Sequence, residues 1–222
     1  MYNREQAAAI IKTQGILPLY YHADANISIA IAHALYKGGI RAIEFTNRGE
    51  KALENFKLLV NERNNKLPDL LLCIGTITTP QDAHLFIEAG ANVLISPVFD
   101  ADVSDVAYMS KVLWIPGCMT PTEIHVAYTA GWSLLKLFPG NVLQPHYIQA
   151  IKSLFPNIDF LVTGGVETNA ENIQSWLKAG AVGVGLGSKL MIPSMIQENK
   201  MEALTQLVEG IMQIIHQFKQ NK

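Results

Sequence analysis

Along this chain, short runs of consecutive apolar residues alternate with stretches whose apolar positions recur at helical spacing. One unit recurs: an amphipathic stretch ends in glycine and a β-rich run follows. Ala34-Leu35-Tyr36-Lys37-Gly38-Gly39 leads into Ile40-Arg41-Ala42-Ile43-Glu44-Phe45, and Phe86-Ile87-Glu88-Ala89-Gly90 leads into Asn92-Val93-Leu94-Ile95-Ser96. Tyr128-Thr129-Ala130-Gly131 and Trp176-Leu177-Lys178-Ala179-Gly180 close two further helices in the same way. Glycine just past a helix end supplies the left-handed conformation that turns the chain back toward a sheet. Helix starts are legible too. Thr79-Pro80-Gln81-Asp82 and Thr120-Pro121-Thr122-Glu123 each set a threonine cap, a proline at the first helical position and an acid two residues later. Thr168-Asn169-Ala170-Glu171 reads as a third capping box.

The pattern predicts strands over residues 16–21, 40–46, 70–75, 92–96, 112–116, 133–138, 159–163 and 182–186. Eight strands alternating with helices predict an α/β protein, a (β/α)8 TIM barrel. A doubly wound open sheet is the alternative, but its glycine fingerprint is missing after the first strand. Met201, Leu204, Leu207, Val208, Ile211, Ile214, Ile215 and Phe218 share a helical spacing, predicting a terminal amphipathic helix packed on the barrel. With no linker or low-complexity segment, residues 1–222 read as a single domain with a short N-terminal helix.

Composition narrows the partners. About half of the 222 residues are apolar (49%) and 16% are charged, so the chain has material for a large core. A formal charge of −2 without a basic cluster argues against nucleic acid. No apolar run reaches membrane-spanning length, and the polar start Met1-Tyr2-Asn3-Arg4-Glu5-Gln6 does not resemble a signal peptide. Cys73 and Cys118 lie far apart inside apolar segments, against a disulfide framework or thiolate metal site. A reduced, cytoplasmic protein is expected.

The chemistry begins with Lys136, set in the apolar run Ser133-Leu134-Leu135-Lys136-Leu137-Phe138-Pro139. Lysine is almost never fully buried without a partner. Burial disfavours the ammonium and favours a nucleophilic neutral amine. An edge-strand lysine snorkelling to solvent is the structural alternative. Period-two alternation puts Ala42, Glu44 and Thr46 on one face of their strand and Leu134, Lys136 and Phe138 on one face of theirs. If both faces point inward, Glu44 and Lys136 converge, either as a structural ion pair or as an amine and a proton shuttle for imine chemistry.

Other predicted strand ends carry Arg48, Thr76, Ser96-Pro97, Pro116-Gly117, Thr163-Gly164-Gly165 and Gly187-Ser188. Catalytic residues of such barrels gather at this face, and phosphates bind at the loops after strands seven and eight. Tight turns alone would also favour those glycines. Lys189 either adds charge there or faces solvent. The six histidines show no metal-ligand spacing, which disfavours a metal-dependent mechanism. His33, His84 and His125 fall within predicted helices, while His22 lies near the end of the first strand.

Ile43-Glu44-Phe45-Thr46-Asn47-Arg48, Gly75-Thr76, Ile95-Ser96-Pro97, Ile115-Pro116-Gly117, Lys136-Leu137-Phe138-Pro139, Thr163-Gly164-Gly165 and Gly187-Ser188 follow one another in order. Together they resemble the class I 2-keto-3-deoxy-6-phosphogluconate (KDPG) / 4-hydroxy-2-oxoglutarate (KHG) aldolases, over nearly the whole chain. The resemblance implies cleavage of a 2-keto acid substrate to pyruvate and an aldehyde, with no cofactor, in a homotrimer. It implies Lys136 as the Schiff-base residue and Glu44 as the acid/base. It further implies Arg48 and Thr76 on the pyruvate carboxylate, Pro97 and Phe138 lining the substrate site, and Thr163, Gly164, Gly165 and Ser188 around the phosphate. Three stretches depart from the family pattern: Val98-Phe99-Asp100 after Ser96-Pro97, Tyr20-Tyr21-His22 where some members place a basic residue, and Gly140-Asn141 after Phe138-Pro139. They bear on which aldehyde is accepted. Two other readings stay open from the residues alone. One is a phosphosugar isomerase or epimerase with Glu44 as base; the other is a non-catalytic ligand binder.

Overall fold

The computed structural model of the protein describes residues 2–197 and 200–220. In chain order its elements are α1 (Arg4–Gln14), β1 (Ile16–Tyr20), α2 (Ala25–Lys37), β2 (Ala42–Thr46), α3 (Ala52–Lys66), β3 (Leu71–Gly75), α4 (Pro80–Glu88), β4 (Val93–Ile95) and α5 (Ala101–Met109). There follow β5 (Leu113–Ile115), β6 (Gly117–Cys118), α6 (Pro121–Thr129), β7 (Leu134–Leu137), α7 (Gly140–Ile151), β8 (Asp159–Thr163), α8 (Ala170–Ala179), β9 (Ala181–Leu186), α9 (Pro193–Gln197) and α10 (Met201–Gln220).

All strand pairings are parallel, in the order β5-β4-β3-β2-β1-β9-β8-β7-β6. The two ends of this order, β5 and β6, are separated only by Pro116, so the sheet closes on itself as a barrel. The predicted fifth strand is therefore broken in two. Proline has no N–H to give to a ladder, and the pairing shifts across it from β4 to β7. The Pro116 carbonyl still accepts from the Lys136 N–H at 2.9 Å, which ties the seam.

Side chains sort by strand parity. Leu17, Ala42, Leu71, Val93, Leu113, Leu134 and Leu161 fill the barrel interior, together with Cys73, Ile95 and Ile115. Ala7 and Ile11 of α1 join this cluster. The alternate positions, among them Ile43, Phe45, Ile74, Trp114, Leu135 and Phe160, pack under the surrounding helices. Gln14, almost wholly buried, seals the start of β1 and β2. Its amide donates to the Ile16 and Ala42 carbonyls and its oxygen accepts from the Arg41 and Ala42 N–H groups.

The helix caps follow the sequence with one correction. Thr79 and Thr120 cap α4 and α6, the latter in a full box with Glu123. At α8 the cap is Asn169, not Thr168: the Asn169 oxygen accepts from the Asn172 N–H at 2.9 Å. Asparagine caps at least as well as threonine, so the helix begins one residue later than predicted. Gly90 (φ 104°) and Gly180 (φ 111°) take the left-handed turns that return the chain to the barrel. Leu204, Val208, Ile211 and Ile215 bury one face of α10, which packs on α2 and α8.

Candidate active site

Because β2 and β7 both present their even-numbered side chains inward, Glu44 and Lys136 meet inside the barrel. The Lys136 Nζ lies 3.6 Å from the Glu44 Oε1, with side chains 5% and 1% exposed. The snorkelling alternative for Lys136 is thus excluded. At 3.6 Å the pair exceeds an ordinary charge-assisted hydrogen bond, leaving both groups available to a third partner. The second carboxylate oxygen, Oε2, has no hydrogen-bond partner among the described residues. Buried carboxylates are rarely left so underused unless they serve a ligand.

Two neighbours shape the pair. Cys73 lies opposite Glu44 in the β2–β3 register. Burial, with Glu44 beside it, pushes its thiol well above the usual range. A buried neutral thiol is inert, so it does not compete as nucleophile. Gly75 leaves the space that the carboxylate fills, and a methyl there would overlap the Glu44 carboxyl group. We expect Gly75→Ala to displace the carboxylate and lower kcat by about 10²-fold, the penalty of a misplaced catalytic group. Steady-state rates alongside a thermal melt check this, since a purely structural effect would lower Tm and leave kcat unchanged.

Above the pair, toward the carboxyl ends of the strands, a cavity of ≈ 470 Å³ is lined by Thr46, Arg48, Phe138, Thr163, Gly164, Gly165 and Ser188 among others. The Lys136 Nζ sits 5.5 Å from the centre of the Phe138 ring, which joins the buried pair to the cavity wall. Thr163 is 6% exposed and its hydroxyl has no partner among the described residues. Gly185 gives that hydroxyl room, because a side chain there would collide with it. Gly164 (φ 101°) and Gly165 (φ 69°) hold left-handed backbone where they line the cavity. Lys189 also lines the cavity and pairs with Glu167 at 2.8 Å.

The remaining predicted residues lie off this cavity. Thr76 follows β3 with φ 65°, a left-handed conformation unusual for threonine and often found at functional sites. Pro97 follows Ser96 beyond β4 and packs over Gly117, the register partner of Lys136. Neither lines the cavity. The Ser96 hydroxyl accepts from the Trp114 indole N–H at 2.7 Å, so it braces the wall of the barrel. Among the described residues, no group of three or more His, Cys, Asp or Glu stands close enough to hold a metal ion.

A family model for KDPG and KHG aldolase matches residues 7–207. The chain belongs to that family. The 2-dehydro-3-deoxy-phosphogluconate aldolase of Pseudomonas aeruginosa is 33% identical over 202 residues, covering 88% of each chain. The 2-dehydro-3-deoxy-6-phosphogalactonate aldolase of Escherichia coli is 31% identical over 164 residues, covering 72% of this chain and 78% of its own. A crystal structure of KDPG aldolase from Legionella pneumophila, with pyruvate captured as a covalent carbinolamine intermediate, matches with TM-score 0.85 at 27% identity. It covers 93% of this chain and 98% of that one.

Thr46, on the inward face of β2, and Tyr20 and Tyr21, at a departure from the family pattern, also line the cavity. Leu19, Val166, Gly185 and Met191 line it too and were not singled out by sequence. Thr46 and Gly185 carried a usable signal, as inward positions of β2 and β9. Met191 did not, because it follows β9 in a segment without periodicity.

Proposed function

We infer that the chain is a class I aldolase that cleaves KDPG or KHG to pyruvate and an aldehyde, glyceraldehyde 3-phosphate or glyoxylate. The observation that carries this reading is the buried Lys136–Glu44 pair at 3.6 Å beneath a polar cavity. The neutral Lys136 amine attacks the C2 ketone, and Glu44 passes protons as the carbinolamine loses water to an imine. Glu44 then takes the proton of the C4 hydroxyl. The C3–C4 bond breaks, its electrons enter the iminium, and the aldehyde departs. Protonation of the enamine at C3 and hydrolysis release pyruvate and restore the lysine.

Arg48 and Thr76 hold the pyruvate carboxylate, a task that suits a guanidinium. Pro97 and Phe138 flank the imine. The backbone of Gly164 and Gly165 and the residues Thr163 and Ser188 receive the phosphate of a phosphorylated substrate. The isomerase reading takes Glu44 as base and Lys136 as an electrostatic stabiliser with no covalent task, and the binder reading gives no reason to bury a reactive amine. Pyruvate release from KDPG or KHG, coupled to NADH oxidation by lactate dehydrogenase, tests the function. Turnover is expected with at least one of them; folded protein that releases pyruvate from neither would overturn the reading.

We read residues 1–222 as one working unit, cytoplasmic and assembled as a homotrimer. No helix among the described residues is long and apolar enough to cross a membrane. The trimer rests on family resemblance, and Val98, Tyr108, Met109 and Val126 offer apolar surface for an interface. Light scattering should give the mass of three chains; a monomer at micromolar concentration would refute it.

A further inference from the structure

The turn at Tyr20-Tyr21-His22 borders a second space beside the main cavity. A chamber of ≈ 270 Å³ shares Tyr20, Tyr21 and Met191 with it and extends over Ile31, Pro193 and Ile196, with His22 at its edge. The two spaces therefore share Tyr20, Tyr21 and Met191 in their walls.

The turn that carries these residues is firmly held. The Asn55 amide, 3% exposed, donates to the His22 and Ala23 carbonyls at 3.0 and 2.9 Å. The fully buried Ser28 donates its hydroxyl to the His22 carbonyl at 3.0 Å, and the Tyr20 hydroxyl donates to the Ser28 carbonyl at 2.8 Å. Tyr21 lies 5.7 Å from the Phe45 ring centre and fills the space beside Gly49, where a side chain would overlap its phenol. Such hydrogen bonding behind the turn is what holds a recognition group in one geometry before a ligand arrives.

The chemistry of the chamber differs from that of the main cavity. Among the described residues its lining holds no lysine, arginine or carboxylate; Tyr20, Tyr21 and His22 stand there against aliphatic side chains. The His22 Nδ1 lies 3.1 Å from the Asp24 N–H and 3.4 Å from the Asp24 carbonyl; in the tautomer that accepts the shorter bond, Nε2 carries the ring proton and can donate. An anion would find no cationic side chain there among the described residues, whereas a neutral group with a hydroxyl or carbonyl oxygen would find the His22 imidazole and apolar contact. Arg48, Lys189 and the Gly164-Gly165 backbone keep the main cavity as the place for charge.

We propose that this chamber is a subsite for the uncharged end of a non-phosphorylated aldehyde, read by Tyr21 and His22. The enzyme then works on two acceptor classes that leave the imine in different directions. The inference rests on the aldolase reading, and the test separates the two.

Aldol addition of pyruvate is measured with glyceraldehyde 3-phosphate and with glyceraldehyde, for wild type, His22→Ala and Ile196→Phe, the last of which fills the chamber. Borohydride trapping of pyruvate is run on each protein. Each variant is expected to lower kcat/KM for glyceraldehyde about tenfold or more, the usual loss for a missing buried hydrogen bond or a blocked subsite. The phosphorylated aldehyde should change less than about twofold, with trapping unchanged, since neither residue meets the charged end. Equal losses on both aldehydes, no loss on either, or a wild type that forms the imine yet ignores glyceraldehyde would each overturn the subsite alone. Absence of trapping in the wild type would overturn the aldolase reading and the subsite with it. His22 lies at the chamber edge, so its variant keeps the test decisive if Ile196→Phe misfolds.

Discussion

Replacing Lys136 by alanine is expected to abolish aldol cleavage, with a fall in kcat of about 10⁴-fold or more, the scale of losing a covalent nucleophile elsewhere. The amine is the electron sink's anchor: without it the C3–C4 electrons have no iminium to enter. The same substitution strips Glu44 of its counter-ion inside the barrel. Breaking a buried pair in this way costs about 3–5 kcal/mol, so a lower Tm accompanies the lost activity. Lys136→Arg separates the effects. It keeps a cation beside Glu44, but guanidinium has no neutral form at usable pH and makes no imine. Stability should recover relative to alanine while activity does not. Residual turnover above about 1% of wild type in either variant would contradict the covalent mechanism, because general acid/base catalysis alone contributes only ~10²–10⁴-fold.

Glu44→Gln is expected to lower kcat by ~10²–10⁴-fold, the usual worth of a positioned acid/base. Glutamine fills the space beside Gly75 as glutamate does, yet it cannot take up or release the protons of the carbinolamine and retro-aldol steps. The Lys136 amine, the nucleophile of the first step, stays in place. Imine formation with pyruvate should therefore persist while turnover collapses. Rapid-quench trapping beside steady-state rates would show this split. A variant within a few-fold of wild-type kcat would mean that Glu44 is only a structural partner of the lysine.

Much of this site was legible because a barrel strand converts period-two spacing into an address. Glu44 and Lys136 sit at inward positions of their strands, so their meeting follows from parity once the ring is assumed. The break at Pro116 follows from a missing N–H and was visible in the sequence, though the apolar run around it read as one strand. The glycine loops after β8 and β9 were legible for a similar reason, since left-handed backbone and close approach both select glycine.

What was not legible depends on contacts between distant loops. Ser96 stands at a strand end with the same chemistry as Ser188. Only the fold reveals that Trp114 occupies its hydroxyl, while Ser188 lines the cavity. The left-handed backbone of Thr76 has no sequence signal, because threonine is not selected for it. The side chamber needs Ile31 from α2 and Ile196 from α9 beside the end of β1, residues whose spacing speaks only of helix packing. The departure at Tyr20-Tyr21-His22 marked the place without its shape.

Lys136 is expected to form an imine with pyruvate. Incubation with pyruvate and borohydride, intact-mass analysis and peptide mapping test it most directly. A reduced pyruvate adduct on the peptide containing Lys136, lost in Lys136→Arg, is the predicted result. Folded protein with no adduct, or with the adduct on another lysine, would contradict the account.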